Sequence, residues 1–280
     1  MAFKDAERLV RQALTIDDGA QTGRQGSSIR LETYYALLMM DGDKMGAILS
    51  GDEKTHCSIS YRASFHPKVG KGFDERAAKQ ALIKHYGEQK RAISPNRHLA
   101  ISGALNDFSQ IVVRHVVEEE HLGRVIYAGG DDVLAMLPVA DMLPAMQRLR
   151  HAYSGTLPED ADLDWGKVRA ERKTLHCKNG FAMLNGRLMR MMGEYATAST
   201  GAVIAHHQAP LSAVLRELRA AEKRAKTEGG RDAFSITIIK RSGGALYLTA
   251  AWGEPLQLLA DLRNFLAHRR DAAPGKNRRV

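Results

Sequence analysis

The sequence predicts an α+β fold whose centre has the order strand, helix, strand, strand, helix, strand. Three observations predict it. Residues 34–40 (YYALLMM) are continuously apolar and too short for most helices. Two further apolar runs, 125–128 and 133–137, flank a Gly-Gly-Asp-Asp turn, and a helical pattern lies on each side of that pair. The resulting βαββαβ order is that of ferredoxin-like sandwiches, in which one sheet carries helices on one face.

The first part of the chain supplies the first strand and the insertion that follows it. Residues 4–15 have apolar residues at helical spacing, and the Gly- and Ser-rich residues 17–28 predict a loop. The first strand ends at the turn 41–43 (DGD). Residues 44–97 mix Gly, Lys, His and Pro, and we interpret them as an insertion with one helix near 74–90.

The next helix begins at a recognisable signal. Ser94 followed by Pro95 is typical of a helix start, and apolar residues at helical spacing extend the helix from His98 to Glu120. Beyond the hairpin, the pattern predicts in order a helix at 140–154, a polar surface excursion at 155–180, a strand at 201–205, a helix at 210–227, a hairpin of 234–240 and 245–250, and a helix at 255–269.

These elements divide the chain into three parts. They are an N-terminal helix and loop (1–29), a central domain (30–252) with insertions at 44–97 and 155–198, and a C-terminal helix with a basic tail (253–280).

Composition excludes several classes of protein. The 280 residues carry 41 Lys+Arg against 32 Asp+Glu, a net charge of +9, which favours an anionic partner such as a nucleotide or nucleic acid. The longest apolar runs are far too short to span a bilayer, so we expect no membrane partner. The N-terminus lacks an apolar signal core, and the two cysteines are too few for a disulfide framework, so a cytoplasmic location is expected.

Three aspartates are the candidate metal ligands and catalytic residues. In the predicted sheet the third strand lies antiparallel beside the first, so the start of one lies about 4.8 Å from the end of the other. Asp131 and Asp132 are therefore expected against Asp41. Carboxylates this close ionise together only around a cation, and Mg²⁺ or a similar hard ion is the natural occupant. Two such ions about 4 Å apart would activate an attacking hydroxyl and stabilise a leaving oxyanion in phosphoryl transfer.

The Gly-Gly-Asp-Asp turn has an alternative interpretation, because Gly and Asp are common in ordinary polar turns. Its position between two apolar strands, opposite the acidic end of another strand, favours the site. We include the turn glycines Gly129 and Gly130 in the candidate nucleotide-binding set.

Two more groups of residues are candidates for binding phosphate. The turn that follows the first strand has successive backbone N–H groups that can form an anion-binding concavity, and its residues are Gly42, Asp43, Lys44, Met45 and Gly46. Lys226 and Arg231 bracket the end of the 210–227 helix and are able to reach phosphate oxygens. Basic residues also favour helix C-termini because of the helix dipole, and both interpretations stay open at this point.

Other motifs carry no chemistry. The pairs His56-Cys57 and His176-Cys177 lack the spacing of zinc ligands, so we interpret both as structural or incidental. The Walker A loop, the dinucleotide fingerprint, G-x-S-x-G and H-E-x-x-H are all missing from the sequence.

Five stretches give the sequence a specific resemblance. They resemble the palm that bears the GGDD motif in the large subunit of type III-B CRISPR–Cas effector complexes, over about residues 30–250. The stretches are YYALLMMDGDKMG (34–46), SPNRHLAISGALNDFS (94–109), GRVIYAGGDDVLAMLP (123–138), MGEYATASTGAVIAHHQAPL (192–211) and EGGRDAFSITIIKRSGG (228–244).

The resemblance implies a fold and a reaction. The family's palm is similar to the palms of nucleotide cyclases and polymerases, and it joins ATP into cyclic oligoadenylate, a second messenger of antiviral defence. The 3′-hydroxyl of one ATP attacks the α-phosphate of the next with two Mg²⁺ or Mn²⁺ ions per site. By this comparison Asp41, Asp131 and Asp132 fall on metal-binding positions. Lys226 and Arg231 fall near positions at which related GGDEF cyclases grip phosphates.

The resemblance also implies partners, and this sequence departs from the family's pattern in three features. The implied partners are ATP, the other subunits of a type III effector complex, crRNA and target RNA. The family's HD nuclease is not expected, because none of the 11 histidines is followed by Asp. The family's zinc-binding cysteines and its first palm are also missing. We therefore expect a catalytic half, a split subunit or a reduced relative, whose activity alone is weak or depends on a homodimer or on a missing second palm.

Two functions follow as hypotheses. The first is a metal-dependent nucleotidyltransferase that makes oligoadenylates. The alternative is a non-catalytic scaffold subunit that binds nucleotide or RNA, which the +9 charge and the basic tail favour. A diguanylate cyclase ranks below the first, because the motif ends in Asp-Asp instead of Asp-Glu-Phe.

Overall fold

The computed structural model describes residues 33–52, 58–91, 93–168 and 173–271. Its strands are β1 Tyr34–Gly42, β2 Arg124–Gly129, β3 Asp132–Pro138, β4 His176–Lys178, β5 Phe181–Leu184, β6 Arg187–Arg190, β7 Ala198–His206, β8 Ala233–Ile239 and β9 Ala245–Ala251. Its α-helices are α1 Met45–Ser50, α2 Pro67–Ala77, α3 Ala81–Glu88, α4 Pro95–Asp107, α5 Val139–Ser154, α6 Trp165–Val168, α7 Leu211–Thr227 and α8 Glu254–Asp271. Helix α4 continues through two π-helical segments, Phe108–Val112 and His115–Glu120.

The central sheet has the predicted topology. Six strands lie in the order β2-β3-β1-β7-β8-β9, and β1 is antiparallel to both β3 and β7. Strands β1, β2, β3 and β7, with α4 after β1 and α5 after β3, confirm the βαββαβ order. Beyond them, β8 pairs parallel to β7 after the α7 crossover, and β9 returns antiparallel to β8.

The sheet carries helices on both faces, so the expectation of helices on one face is wrong for the extended sheet. Ala36 and Leu38 of β1 pack with α4 and α5 in the main core. Leu37 points to the opposite face and packs with Val203 and with Leu218 of α7. The physical reason is visible in β1, whose continuous apolar run suits a strand that is buried on both faces.

Helix α7 lies unusually close to the sheet at one residue. A Cβ atom added to Gly201 of β7 would lie 2.3 Å from the backbone nitrogen of Glu222. Because only glycine fits beneath the helix backbone there, α7 rests directly on β7. This contact fixes the distance of the C-terminal half of α7 from the ends of β1 and β3.

The prediction of a single helix near 74–90 is wrong, because two helices, α2 and α3, occupy this segment. Both fold onto one short turn: Arg62 is paired with Asp74 of α2, and Tyr61 stacks on Tyr86 of α3 with ring centroids 4.7 Å apart. A single straight helix would separate Asp74 and Tyr86 by about 18 Å and could not bring both to adjacent residues.

The prediction of a polar surface excursion at 155–180 is wrong for the end of this segment, where a second sheet begins. Strands β4, β5 and β6 form a second antiparallel sheet, and Cys177, Ala182 and Met189 are buried in the main core. The missed signal is a pair of Asn-Gly turns, of the type that two-residue hairpins require. Both residues of Asn179-Gly180 and of Asn185-Gly186 have positive φ.

Several predicted features lie outside the described residues. They are the helix at 4–15, the loop at 17–28, the His56-Cys57 pair and the last nine residues of the basic tail. In the part of the chain that the structure describes, no helix has the length and apolarity needed to cross a membrane.

A buried ionic network anchors the outer face of α5, away from the candidate site. Arg148 of α5 donates two hydrogen bonds of 2.8 Å to the carboxylate of Glu120. The buried His115 lies 3.4 Å from Glu120 and 3.1 Å from Glu119. The hydrogen bond with Glu120 raises the pKa of His115. Burial alone would raise the pKa of Glu120, but the hydrogen bonds from His115 and Arg148 lower it to about 2.

This network predicts a pH dependence of stability. The pKa of His115 is raised on folding, so its stabilising contribution is complete below about pH 6.5 and is lost as the pH rises above that value. Glu120 contributes above about pH 4.5, and its contribution is lost as the pH falls toward 2. We expect the free energy of unfolding, from urea titrations, to fall between pH 6.5 and 8. In His115→Gln this slope should flatten, whereas His85→Gln, at an exposed site of α3, should keep it.

Candidate active site

The register of the central sheet brings the predicted aspartates together. Met40 of β1 pairs with Val133 of β3, so the next pair in the register is Asp41 opposite Asp132. Directly opposed residues of an antiparallel pair have Cβ atoms about 4.5–5.5 Å apart on the same face. Here that face is the α7 side, because Met40 and Val133 both belong to the core on the other side. The backbone therefore places these two carboxylates as the sequence predicted.

Asp131 lies one position further, opposite Gly42, at the end of the same two strands. Its carboxylate accepts a hydrogen bond from the Gly42 backbone. A Cβ on Gly42 would lie 2.5 Å from the hydroxyl of Tyr153 and 2.9 Å from the carboxylate of Asp131. Gly42 is thus a spacer that lets Asp131 and Tyr153 approach the strand end. Sequence reasoning missed Tyr153, which sits inside a helix with no motif around it.

The tyrosine is a buried polar group at the site. The Tyr153 side chain is fully buried, and its hydroxyl has no hydrogen-bond partner among the described residues. Burial and the neighbouring carboxylates of Asp131 and Asp43 raise its pKa, so the phenol stays neutral. A neutral phenol keeps its O–H available as a donor near Asp131.

The electrostatics of the site show a surplus of negative charge. Burial raises the pKa of Asp131, and the Asp132 charge raises it further. Desolvation also raises the pKa of Asp132. Glu222 of α7 has its pKa raised by burial and by the charges of Asp132 and Asp43. Burial is the largest cause for all three groups, and neighbouring negative charges add to it for Asp131 and Glu222, so a cation at the strand ends would favour the ionised forms.

Lys226 meets these carboxylates directly. Its ammonium is paired with Asp41 and lies 2.6 Å from Glu222, one helical turn earlier on α7. Burial and the Arg231 charge lower the pKa of Lys226. Glu222 was missed by sequence reasoning, although its four-residue spacing from Lys226 is the signal that would have found it.

Asp43 has a different environment from the other aspartates. It is buried, with 3% of its surface exposed. Its carboxylate accepts hydrogen bonds from the hydroxyls of Thr197 and Ser199 and from the backbone N–H of Asp232, at 2.7–2.9 Å. A guanidinium nitrogen of Arg231 lies 3.9 Å away. Asp43 therefore joins the ends of β1 and β7 to the segment before β8.

The remaining candidate residues form the turns around the site. Lys44 has a positive φ of 56° and precedes α1, which begins at Met45 and contains Gly46. In the hairpin, Gly129 pairs with Asp132, and Gly130 makes the turn with a φ of 63°.

A cavity of about 590 Å³ opens beside Asp43. This is within the usual size range of small-molecule sites. The three strand-end aspartates Asp41, Asp131 and Asp132 are not part of its wall, which is mainly apolar with basic groups at the rim. The lining includes Lys44, Ile48, Ile101, Met191, Tyr195 and Arg231.

The second His-Cys pair is structural, as predicted. His176 is paired with Asp160 at 2.8 Å, and burial raises the pKa of Cys177, which keeps it a thiol.

The donor set at the strand ends fits a divalent cation. Within the described ranges, no three His, Cys, Asp or Glu side chains already converge on a common point as a metal site. Nevertheless, Asp41, Asp131 and Asp132 are oxygen donors of the kind that Mg²⁺ and Mn²⁺ prefer. Burial raises the pKa of Asp131 and Asp132, and the Lys226 ammonium already lies against Asp41, so one cationic group is present at these carboxylates.

Comparison with known sequences identifies relatives of this chain. The sequence profile described as Cas10/Cmr2, second palm domain, matches residues 34–235. The CRISPR system Cmr subunit Cmr2 of Pyrococcus furiosus is 31% identical over 220 residues, which are 78% of this chain and 20% of that protein. The CMR subunit Cmr2 of Saccharolobus solfataricus is 34% identical over 131 residues, 46% of this chain and 11% of that protein.

The fold is also that of a solved structure. A chain of the apo state of a type III-B Cmr-beta complex, solved by cryo-EM, matches with a TM-score of 0.51 and 18% identity, over 78% of this chain and 27% of that one. The profile and this likeness confirm the α+β palm fold. The chain spans a fifth or less of the length of the curated relatives it matches.

Proposed function

Because this chain belongs to the Cas10/Cmr2 family as its second palm domain, we propose that it is a metal-dependent nucleotidyltransferase that joins ATP into cyclic oligoadenylate. The observation that carries the proposal is the placement of Asp41, Asp132 and Asp131 on two adjoining strand ends, with Lys226 beside them. In the proposed reaction a 3′-oxygen bonds to the α-phosphorus of a second ATP. The bond from that phosphorus to the oxygen bridging the α- and β-phosphates breaks, pyrophosphate leaves with that oxygen, and the proton of the attacking 3′-hydroxyl passes to solvent.

The strand-end carboxylates are the groups that would hold the cations. Asp41, Asp131 and Asp132 would bind Mg²⁺ or Mn²⁺, which supplies charge stabilisation for the attacking and leaving oxygens. The neutral Tyr153 hydroxyl, which has no hydrogen-bond partner among the described residues, is a donor that the Asp131 carboxylate would accept from when it holds a cation. Gly42 leaves the room that this approach needs.

The basic residues and the cavity hold the nucleotide. When nucleotide binds, the Lys226 ammonium leaves Asp41 and pairs with phosphate oxygens. Its ion pair with Glu222 keeps the ammonium at the strand ends. Arg231 supplies a second, fork-shaped donor from the rim of the cavity. The apolar cavity wall takes the base and the ribose, while backbone N–H groups at Lys44, Met45 and Gly46 face the phosphates.

The second substrate and the wider assembly belong to the same proposal. One palm holds a donor nucleotide, and a second surface must present the acceptor hydroxyl, either a second palm or another copy of this chain. We propose that the protein acts with the other subunits of a type III effector complex and, through them, with crRNA and target RNA. Of the solved relatives, one Cmr-beta structure is described as bound to cognate target RNA.

One observation favours the alternative function, a scaffold that binds nucleotide or RNA without turnover. The single ammonium of Lys226 pairs with both Asp41 and Glu222 within the chain itself. If that pair persists when nucleotide binds, the site stays closed to cations and the +9 charge serves only to bind polyanions.

Incubation with ATP and Mn²⁺ tests the proposal. We expect linear and cyclic oligoadenylates, resolved by mass spectrometry, at yields that rise more than linearly with protein concentration if copies of the chain complete one another. The yield should vanish when the metal is chelated. Binding of ATP with no product at any protein concentration would contradict the proposal and favour the scaffold.

A further inference from the structure

A strained turn between α7 and β8 carries Arg231 to the rim of the cavity. Three consecutive residues have positive φ: Gly230 at 76°, Arg231 at 71° and Asp232 at 45°. For a residue other than glycine such a conformation is strained. Two of them in succession persist only where surrounding contacts fix them, and such strain concentrates at functional sites.

Three contacts hold Asp232, of which the longest is a hydrogen bond of 3.4 Å that its carbonyl accepts from the Trp252 backbone N–H. The Asp232 backbone N–H donates to the buried carboxylate of Asp43 at 2.9 Å. Its side chain accepts a hydrogen bond of 2.6 Å from Arg150 Nε, and these partners are 82 residues apart in the sequence. Arg231, the preceding residue, is held less tightly: its backbone N–H donates a hydrogen bond of 3.3 Å to the carbonyl of Ala225. The turn is therefore fixed mainly through Asp232.

Arg150 reaches this turn from inside the protein. It lies on α5 and is 8% exposed, an uncommon position for an arginine. Its guanidinium also donates to Ser154, whose hydroxyl donates to the carbonyl of Ala196 at 2.8 Å. A buried guanidinium requires such partners, because an unpaired buried charge is strongly destabilising. The cost of burying Arg150 suggests a task other than stability.

We infer that Arg150 and Asp232 are positioning residues that hold the Arg231 guanidinium at the phosphate end of the nucleotide site. The chain of contacts runs from the α5 interior through the Asp232 carboxylate to the strained backbone of Arg231. Asp43 is the second anchor of this turn, so its role is positioning and not metal binding. The inference rests on the proposed function, because it assumes that Arg231 meets phosphate.

Titration with a non-hydrolysable ATP analogue, and separately with Mn²⁺ alone, tests the inference. For Arg150→Met we expect the affinity for the analogue to fall about tenfold and the Mn²⁺ affinity, measured by EPR, to stay unchanged. Asp232→Asn should give a smaller loss, since asparagine tolerates the left-handed backbone but pairs less strongly with Arg150. This milder variant keeps the test available if Arg150→Met fails to fold.

Arg148→Met is the matched control. Arg148 lies two residues away on the same helix and is also ion-paired, but it is half-buried and its partners are Glu120 and Glu159. Both arginine variants should lose stability, and only Arg150→Met should lose affinity for the analogue. In an Arg231→Met background, Arg150→Met should cause no further loss of affinity.

The outcomes distinguish a failure of the positioning role from a failure of the proposed function on which it rests. A wild-type protein that binds no analogue overturns the proposed function, and the inference falls with it. Wild-type binding that survives in Arg150→Met, or equal losses in both arginine variants, overturns the inference alone. Additive losses in the Arg231→Met background have the same consequence.

Discussion

Asp132→Asn is expected to lower the rate of oligoadenylate formation about a thousandfold, which corresponds to roughly 4 kcal/mol of lost transition-state stabilisation. The substitution keeps the size of the side chain and removes one negative charge from the pair that β1 and β3 place opposite each other. Since Asp132 and Asp41 are proposed to share the cations, Mn²⁺ affinity should fall together with the rate. Asp41→Asn should behave in the same way.

The control for this result is an Asp→Asn substitution at an aspartate that is not part of the candidate site. Asp162 is exposed, just after the turn at Pro158–Asp160, so Asp162→Asn should leave both the rate and the Mn²⁺ affinity unchanged. Thermal unfolding of all variants shows whether the fold is intact. If Asp132→Asn retains wild-type product yield, the assignment of the strand-end aspartates is wrong.

The opposition of two of the three proposed metal ligands is predictable from the sequence, for a physical reason. A strand has a side-chain period of two, so apolar runs fix both the face and the register of β1 and β3. Once the βαββαβ order is recognised, the opposition of Asp41 and Asp132 follows from that register. The helix on the second face of the sheet was not predicted, because a strand that is buried on both faces does not reveal which helix covers which side.

The parts of the site that depend on long-range contacts were not predictable. Asp43 looks like a neighbour of Asp41 in the sequence, yet its partners lie 154–189 residues away and turn it into an anchor. Arg150 and Tyr153 sit in an ordinary helix and gain their roles only where α5 meets the strand ends. Such roles arise from tertiary packing, for which local sequence patterns carry no signal.

Gly201→Ala is expected to lower the free energy of unfolding by about 3 kcal/mol, at the upper end of the usual cost of overpacking. The added methyl group would lie 2.3 Å from the backbone nitrogen of Glu222 and 2.9 Å from the carbonyl carbon of Ala221. Helix backbone cannot rotate away as a side chain can, so α7 must move off β7. Urea unfolding monitored by circular dichroism measures the loss.

The displacement of α7 should also reach the site, because Glu222 and Lys226 move with the helix. We therefore expect Gly201→Ala to bind the ATP analogue more weakly than the wild type, even at temperatures where it is fully folded. Gly103→Ala is the matched control: Gly103 is exposed in α4 with no atom within 4 Å of the added Cβ. The same methyl group there should raise stability by about 0.5–1 kcal/mol, since alanine favours helix, and leave binding unchanged. Equal stability of the two variants would show that α7 does not rest on β7 at Gly201, and that the position of Lys226 is set by other contacts.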